Sequence, residues 1–121
     1  METLLIAIKS DSIRSALAKR LSQYKIHTCD TGTKALEILE ALHPTVLIID
    51  FTLPDMGGLT VLQKSHYKPR VILALTNLAS DAVLQVSAAA GVQDVILIPC
   101  TIRHIISHLE AFTEKVPSPE T

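Results

Sequence analysis

Apolar residues fall into two rhythms along the chain, and their alternation reads as strands followed by helices. Leu4 to Ile8, Thr45 to Asp50, Val71 to Leu75 and Val95 to Ile98 are short stretches dominated by unbroken Leu, Ile and Val, as strands covered on both faces require. Lys25 to Cys29 alternates polar and apolar instead, the pattern of a half-covered edge strand. Between these stretches the apolar positions recur at helical spacing. The sets are Ile13, Leu17 and Leu21, then Ala35, Ile38, Leu39 and Leu42, and then Leu59 and Leu62 in a short helix from about Gly58 to Ser65. Ala82, Val83, Val86, Ala89 and Ala90 mark the next helix, and Ile102, Ile105, Ile106 and Leu109 mark the last. Ser10 or Asp11 caps the first helix, Thr31-Gly32-Thr33 opens the second, and Ser80 or Asp81 caps the fourth. His43-Pro44, Lys68-Pro69 and Gly91 are stops, because the residue before proline avoids helical backbone and glycine takes the left-handed turn that ends a helix.

Five strands alternating with five helices through short connections predict one parallel sheet with helices on both faces. The fold class is α/β, a flavodoxin-like (βα)5 three-layer sandwich. Residues 1–115 make one domain, and the Pro- and Ser-containing residues 116–121 read as a tail or the start of a linker to a further domain. A chain of 121 residues suits one domain, and 48% hydrophobic residues with only 3% aromatic give an aliphatic core and little to stack on bases. The formal net charge of -1 supplies no basic field for nucleic acid or anionic lipid. Cys29 and Cys100 are too far apart for a CxxC site and read as reduced thiols. With neither an apolar span of ~18 residues nor a basic leader, the expected location is the cytoplasm.

Chemistry concentrates at Asp50, which closes the run Val46-Leu47-Ile48-Ile49 and opens the loop Phe51-Thr52-Leu53-Pro54-Asp55-Met56-Gly57-Gly58. Sheets of this kind bind ligands at the carboxyl ends of their strands. The segment resembles the phosphoacceptor segment of the receiver domains of bacterial two-component response regulators, with Asp at the strand end, Pro four residues on, then a hydrophobic residue before Gly. Thr76 matches that family's switch hydroxyl, and Gly91 with Ile98-Pro99 matches the approach to its last strand, so the likeness runs over residues 3–115. The resemblance implies the strand order 2-1-3-4-5 and a signalling role rather than an enzyme. By the same resemblance Asp50 is the phosphoacceptor, supplied by a histidine kinase or phosphotransfer protein. An acidic pair after the first strand holds Mg²⁺ with Asp50 and the Thr52 carbonyl, Thr76 bonds the phosphoryl group, and a Lys before the last strand's Pro pairs with it. Phosphoryl transfer needs these groups, because catalysis is positioning plus neutralisation of charge on the transferred oxygens. An effector domain or a second copy engages the surface from about residue 81 to 115, where Ser87-Ala88-Ala89-Ala90 supply small side chains.

The departures are concentrated around the same carboxylate. Ile8 and Lys9, or Lys9 and Ser10 in the register shifted by one, stand where the acidic pair belongs. Ile98 replaces the Lys, and Val95 stands at the aromatic switch position. Asp11 is the only nearby acid to join Asp50 and Thr52 in a metal site, so Mg²⁺ affinity is expected to be weak, hard cations needing several oxygen ligands. The ammonium of Lys9 is expected to reach Asp50 and stand in for the missing cation. The leading expectation is therefore a receiver domain with Asp50 as phosphoacceptor, and the alternative is a pseudo-receiver that works as a phosphorylation-independent interaction or dimerisation module. Thr76 equally suits a strand residue bonding local backbone, and Asp55 reads as a solvated loop residue. His104 and His108 lie four apart without a third ligand and read as a solvated helix face. No GxGxxG, P-loop or nucleophile-base spacing occurs, which disfavours nucleotide binding, flavin binding and hydrolysis.

Overall fold

A computed structural model describes residues 2–113. Each expected strand forms: β1 (Thr3–Ala7), β2 (Lys25–Cys29), β3 (Val46–Asp50), β4 (Val71–Thr76) and β5 (Asp94–Leu97). The helices between and after them are α1 (Asp11–Arg20), α2 (Gly32–Leu42), α3 (Gly58–Lys64), α4 (Asp81–Ala89) and α5 (Ile102–Thr113). The strands pair in parallel in the order β2-β1-β3-β4-β5, so the chain reverses its direction of sheet growth between β1 and β3. Strand ends move by about one residue from the sequence reading. β5 starts at Asp94 and leaves Ile98 beyond the ladder, although the Ile98 N–H still donates to the Thr76 carbonyl at 2.8 Å.

Strand alternation divides the core into two layers. Leu4, Ile6, Val46, Ile48, Leu73 and Ile96 face α1 and α5, meeting Leu17, Leu21, Ile105 and Leu109. Leu5, Ala7, Leu47, Ile49, Ile72 and Ala74 face the opposite way, against Ala35 and Leu39 of α2 and Val61 and Leu62 of α3. β1, β3 and β4 are buried along nearly their whole length, as the unbroken apolar runs required, whereas edge strand β2 keeps an exposed Lys25 and Thr28.

Of the alternative caps, the serines act: Ser10 accepts from the Ile13 N–H and Ser80 from the Val83 N–H, while Asp11 and Asp81 sit in the first turns where the helix dipole favours negative charge. Helix α2 stops at His43, which takes the left-handed conformation (φ 51°) and donates its N–H to Leu39. Gly91 after α4 has φ 93°, a turn that a side chain would strain. Helix α4 departs from its sequence reading. Only part of its apolar set faces inward: Ala90 packs on the α2 and α3 layer and Val83 is half-buried, whereas Ala82, Val86 and Ala89 lie at the surface beside an exposed Leu84, and Ser87 is the fully buried member. The helix precedes the short edge strand β5, so only a narrow line of its residues meets the sheet. The Pro- and Ser-containing segment 116–121 and the end of the proposed 81–115 surface lie outside the described residues. No helix among the described residues is long and apolar enough to cross a membrane.

Candidate functional site

Alternation along β3 turns Asp50 to the same side as Val46 and Ile48, toward α1 and α5, at the carboxyl edge of the sheet. There the strand ends and the first turns of α1 and α5 line a cleft of about 290 Å³. Ile8, Ile13, Leu75, Ile98, Cys100 and Ile105 form its apolar wall, and Lys9, Ser10, Asp50 and Thr52 its polar part. The cleft opens between the ends of β1 and β3, where the sheet reverses its growth and sheets of this order leave room for ligands.

Asp50 is 3% exposed and is held by backbone and hydroxyl donors, two local and one from across the sheet. Its Oδ1 accepts from the Thr52 N–H at 2.8 Å and the Thr52 hydroxyl at 2.6 Å, and its Oδ2 accepts from the Lys9 N–H at 3.2 Å. The Thr52 pair closes an Asx-type turn, the local geometry that Asp favours where a strand passes into a loop. The expected ion pair between Lys9 and Asp50 does not form: the Lys9 side chain is exposed, and among the described residues no ion pair joins the two. It is the Lys9 main chain that reaches the carboxylate, because the turn out of β1 aims the N–H inward.

Asp11 is not brought to the cleft. Its carboxylate pairs with the guanidinium of Arg14 one turn along α1, and 85% of its side chain is exposed. Ser10 lines the cleft but spends its hydroxyl as the α1 cap. Thr76 is buried, and its hydroxyl both donates to the Leu78 carbonyl at 3.2 Å and accepts from the Leu78 N–H at 3.1 Å. That is the local backbone role weighed above for this residue, and Thr76 is not among the residues lining the cleft. Ile98 forms part of the wall where a cation would otherwise stand, and Val95 packs on the opposite face of the sheet with the α2 and α3 layer.

A divalent cation finds little here to hold it. Magnesium demands near-octahedral oxygen coordination and is bound through one or more carboxylates. Among the described residues Asp50 is the only acid lining the cleft, and three acceptor positions of its carboxylate are already occupied by donors from the chain itself. Among the described residues no three His, Cys, Asp or Glu side chains are grouped to hold a metal ion.

The sequence reading did not assign Cys100, Ile13, Leu75 and Ile105 to the cleft, nor Arg14 to its support. Arg14 fixes the β1–α1 turn by donating to the Ile8 carbonyl at 2.7 Å, and so holds the segment that carries the Lys9 N–H. Its three-residue spacing from Asp11 was the available signal. Burial raises the thiol pKa of Cys100, and burial pushes that of Cys29 up to about 11, so both are kept as protonated thiols near neutral pH. Asp55 is not merely a solvated loop residue. From φ 65° its Oδ1 accepts the Gly32 N–H at 3.0 Å and its other oxygen the Thr33 hydroxyl, tying the β3–α3 loop to the start of α2. His108 bonds Asp94 through Nδ1 and lies with its ring centroid 4.4 Å from that of His104, a contact between α5 and β5 at the surface.

Comparisons with known proteins agree with this architecture. A family model described as the response regulator receiver domain matches residues 5–110. The transcriptional regulatory protein TcrX of Mycobacterium tuberculosis is 30% identical over 102 residues, covering 83% of this chain and 44% of that protein. A protein-glutamate methylesterase/protein-glutamine glutaminase of Rhodopseudomonas palustris is 34% identical over 106 residues, covering 82% of this chain and 29% of that protein. The chain thus spans about half or less of the length of the curated relatives it matches. Among solved structures, the chemotaxis protein CheY4 of Vibrio cholerae is 26% identical with a TM-score of 0.79, covering 93% of this chain and 98% of that one.

Proposed function

Because the chain belongs to the family of response regulator receiver domains, we propose that it is a signalling module whose Asp50 site works without Mg²⁺-dependent phosphorylation, as a protein-interaction domain. Receiver domains in general are not enzymes, bind Mg²⁺ at their phosphorylation site, and interact with histidine kinases and effector domains. The observation that carries the proposal is the surround of Asp50. A carboxylate 3% exposed, satisfied by Lys9 and Thr52 and facing the aliphatic wall of Ile8, Ile98 and Ile105, offers a hard cation a single acid whose acceptor positions are mostly taken. Without that cation, two negative groups would meet in a site of low dielectric with no counter-charge, which opposes transfer.

A second reading keeps Asp50 as phosphoacceptor for a histidine kinase or phosphotransfer protein. It is favoured by the placement of Asp50 at the end of β3 in the family's most specific motif, with Thr76 at the end of β4 beside it in sheet order. The partner surface in either case is the α4 and β5 side, and a cytoplasmic location goes with both. Leu78, Leu84, Val86 and Leu97 stand 40–59% exposed there and would be covered by an effector domain or a second copy.

Incubation with acetyl phosphate and Mg²⁺ followed by intact-mass measurement separates the two. The expected result is no adduct on the wild-type chain. One added phosphate that disappears in Asp50→Asn would overturn the metal-independent reading and establish the second.

A further inference from the structure

We propose that the cleft beside Asp50 is a binding site for a small organic amine, with the protonated nitrogen against the Asp50 carboxylate and the apolar body among Ile13, Ile98, Cys100 and Ile105. This deepens the metal-independent reading and rests on it, since a phosphoryl group and its cation would compete for the same space.

Charge is the first argument. Asp50 is buried, is the only acid lining the cleft, and has no cationic side chain paired with it among the described residues. A carboxylate in such surroundings is costly unless a counter-charge reaches it. A carboxylate offers about four acceptor positions. Three are occupied, two on Oδ1 and one on Oδ2, which leaves Oδ2 room for a single further N–H. The ligand group that fits is therefore a compact donor bearing positive charge. A planar guanidinium would need two free acceptor positions for its paired geometry.

Shape is the second argument. The cleft volume of about 290 Å³ lies at the small end of ligand pockets, enough for a single ring or a short branched chain. Its wall is aliphatic apart from the Cys100 thiol, which burial keeps protonated, so the remainder of the ligand is apolar and uncharged. Anions are disfavoured by Asp50. Lys9 is at the rim with its side chain exposed, where solvent screens its repulsion of a second cation, and its main-chain N–H is already committed to Oδ2.

Occupancy would have a mechanical consequence. The amine would draw together the ends of β1 and β3 through Lys9 and Asp50, and the β5–α5 connection through Ile98 and Cys100. The latter segment lies between Leu97 of the exposed α4 and β5 side and the start of α5, so binding there would be read on the surface that partners use.

The test is a titration of the ¹⁵N-labelled chain with cyclohexylmethylamine, followed at the amides of Lys9 and Thr52, with cyclohexylmethanol and cyclohexanecarboxylate as matched probes. The expected result is saturable shifts with the amine, binding of the alcohol weaker by about tenfold or more, and none with the carboxylate. Asp50→Asn is expected to weaken the amine by about tenfold or more, and Cys100→Phe, which fills the space beside the apolar wall, to abolish binding. Lack of saturation with the amine, equal binding of the carboxylate, or full retention of binding in Cys100→Phe would overturn the inference. If Asp50→Asn does not fold, Cys100→Phe decides alone. Failure of the amine to bind leaves the metal-independent reading standing, whereas a phosphate adduct at Asp50 overturns that reading whatever the amine does.

Discussion

Thr52 supplies two of the three donors on Asp50, one from its main chain and one from its hydroxyl, and only the second depends on the side chain. Thr52→Val keeps the branched shape and removes the hydroxyl, so it isolates one charge-assisted hydrogen bond in a partly buried setting. The expected cost is about 1.5–3 kcal/mol, read as a lower urea midpoint with an unchanged slope. An unaltered midpoint would mean that the Oδ1 contact contributes nothing. At this scale the sequence showed where the carboxylate stands but not what touches it. Asp50 at a strand end and Thr52 two residues on were visible, and so was the absence of a nearby acidic pair. The Lys9 contact was assigned to the wrong atoms, because a sequence displays an ammonium and conceals the direction of a peptide N–H. Cys100 and Ile105 could not be grouped with Asp50 at all, since their meeting depends on how far α5 reaches along the sheet.

At the scale of elements, boundaries were legible wherever a cap or a breaker marked them. Ser10, Thr31, Ser80, His43 and Gly91 all punctuate helices as their chemistry requires. What local pattern could not show was contact between loops and helix starts. Gly32 lies so close to the β3–α3 loop that a Cβ there would sit 1.9 Å from the Met56 carbonyl oxygen, and Asp55 locks the same junction from the other side. The Thr33 hydroxyl holds the Asp55 carboxyl below its ordinary range, helped by the Met56, Gly32 and Thr33 N–H groups and opposed by partial desolvation. A carboxyl lowered on folding contributes stability that is complete above its unfolded value near about 4 and is lost as pH falls through the folded value. Asp55→Ala is accordingly expected to lower the urea midpoint at neutral pH, with the gap from wild type narrowing below about pH 4. A gap that stayed constant into acid would show that the carboxylate form is not what binds α2.

Helix α4 illustrates why an apolar count misleads. Its sequence offers several small and aliphatic residues that suit an inward face, yet the position that meets the sheet is Ser87, 1% exposed and with no hydrogen-bond partner for its Oγ among the described residues. A hydroxyl buried without a partner forfeits its bonds to water and gains none in return. Ser87→Ala removes that hydroxyl without opening a cavity larger than one atom and improves helix propensity. It is expected to stabilise the fold by about 1–3 kcal/mol, measured by urea unfolding. A loss of stability would show that the hydroxyl is satisfied in solution by a group or water that compensates its burial.

For the whole molecule the parallel sheet and its two helical layers follow from runs, caps and short crossovers, whereas the strand order β2-β1-β3-β4-β5 was legible only through the family resemblance. The two layers are unequally finished. α2 and α3 close the face over Leu47 and Ile72, while at the β5 edge the same face leaves Leu97 55% exposed, and α4 presents Leu84 and Val86 outward. Scattered exposed aliphatics are ordinary, but Leu97 is a strand residue on an edge, a place where proteins normally put charge to prevent pairing with another chain. Its retention there fits a surface that is covered in use. Leu97→Glu should therefore leave unfolding within about 0.5 kcal/mol of wild type, since the residue contributes little to the core. The same substitution should lower self-association at high protein concentration, or capture of a separately supplied effector domain, followed by sedimentation velocity. A substantial loss of fold stability would place Leu97 in the core rather than at an interface. Unchanged association and capture would move the partner surface elsewhere, leaving the cleft at Asp50 without a route to the α4 and β5 side.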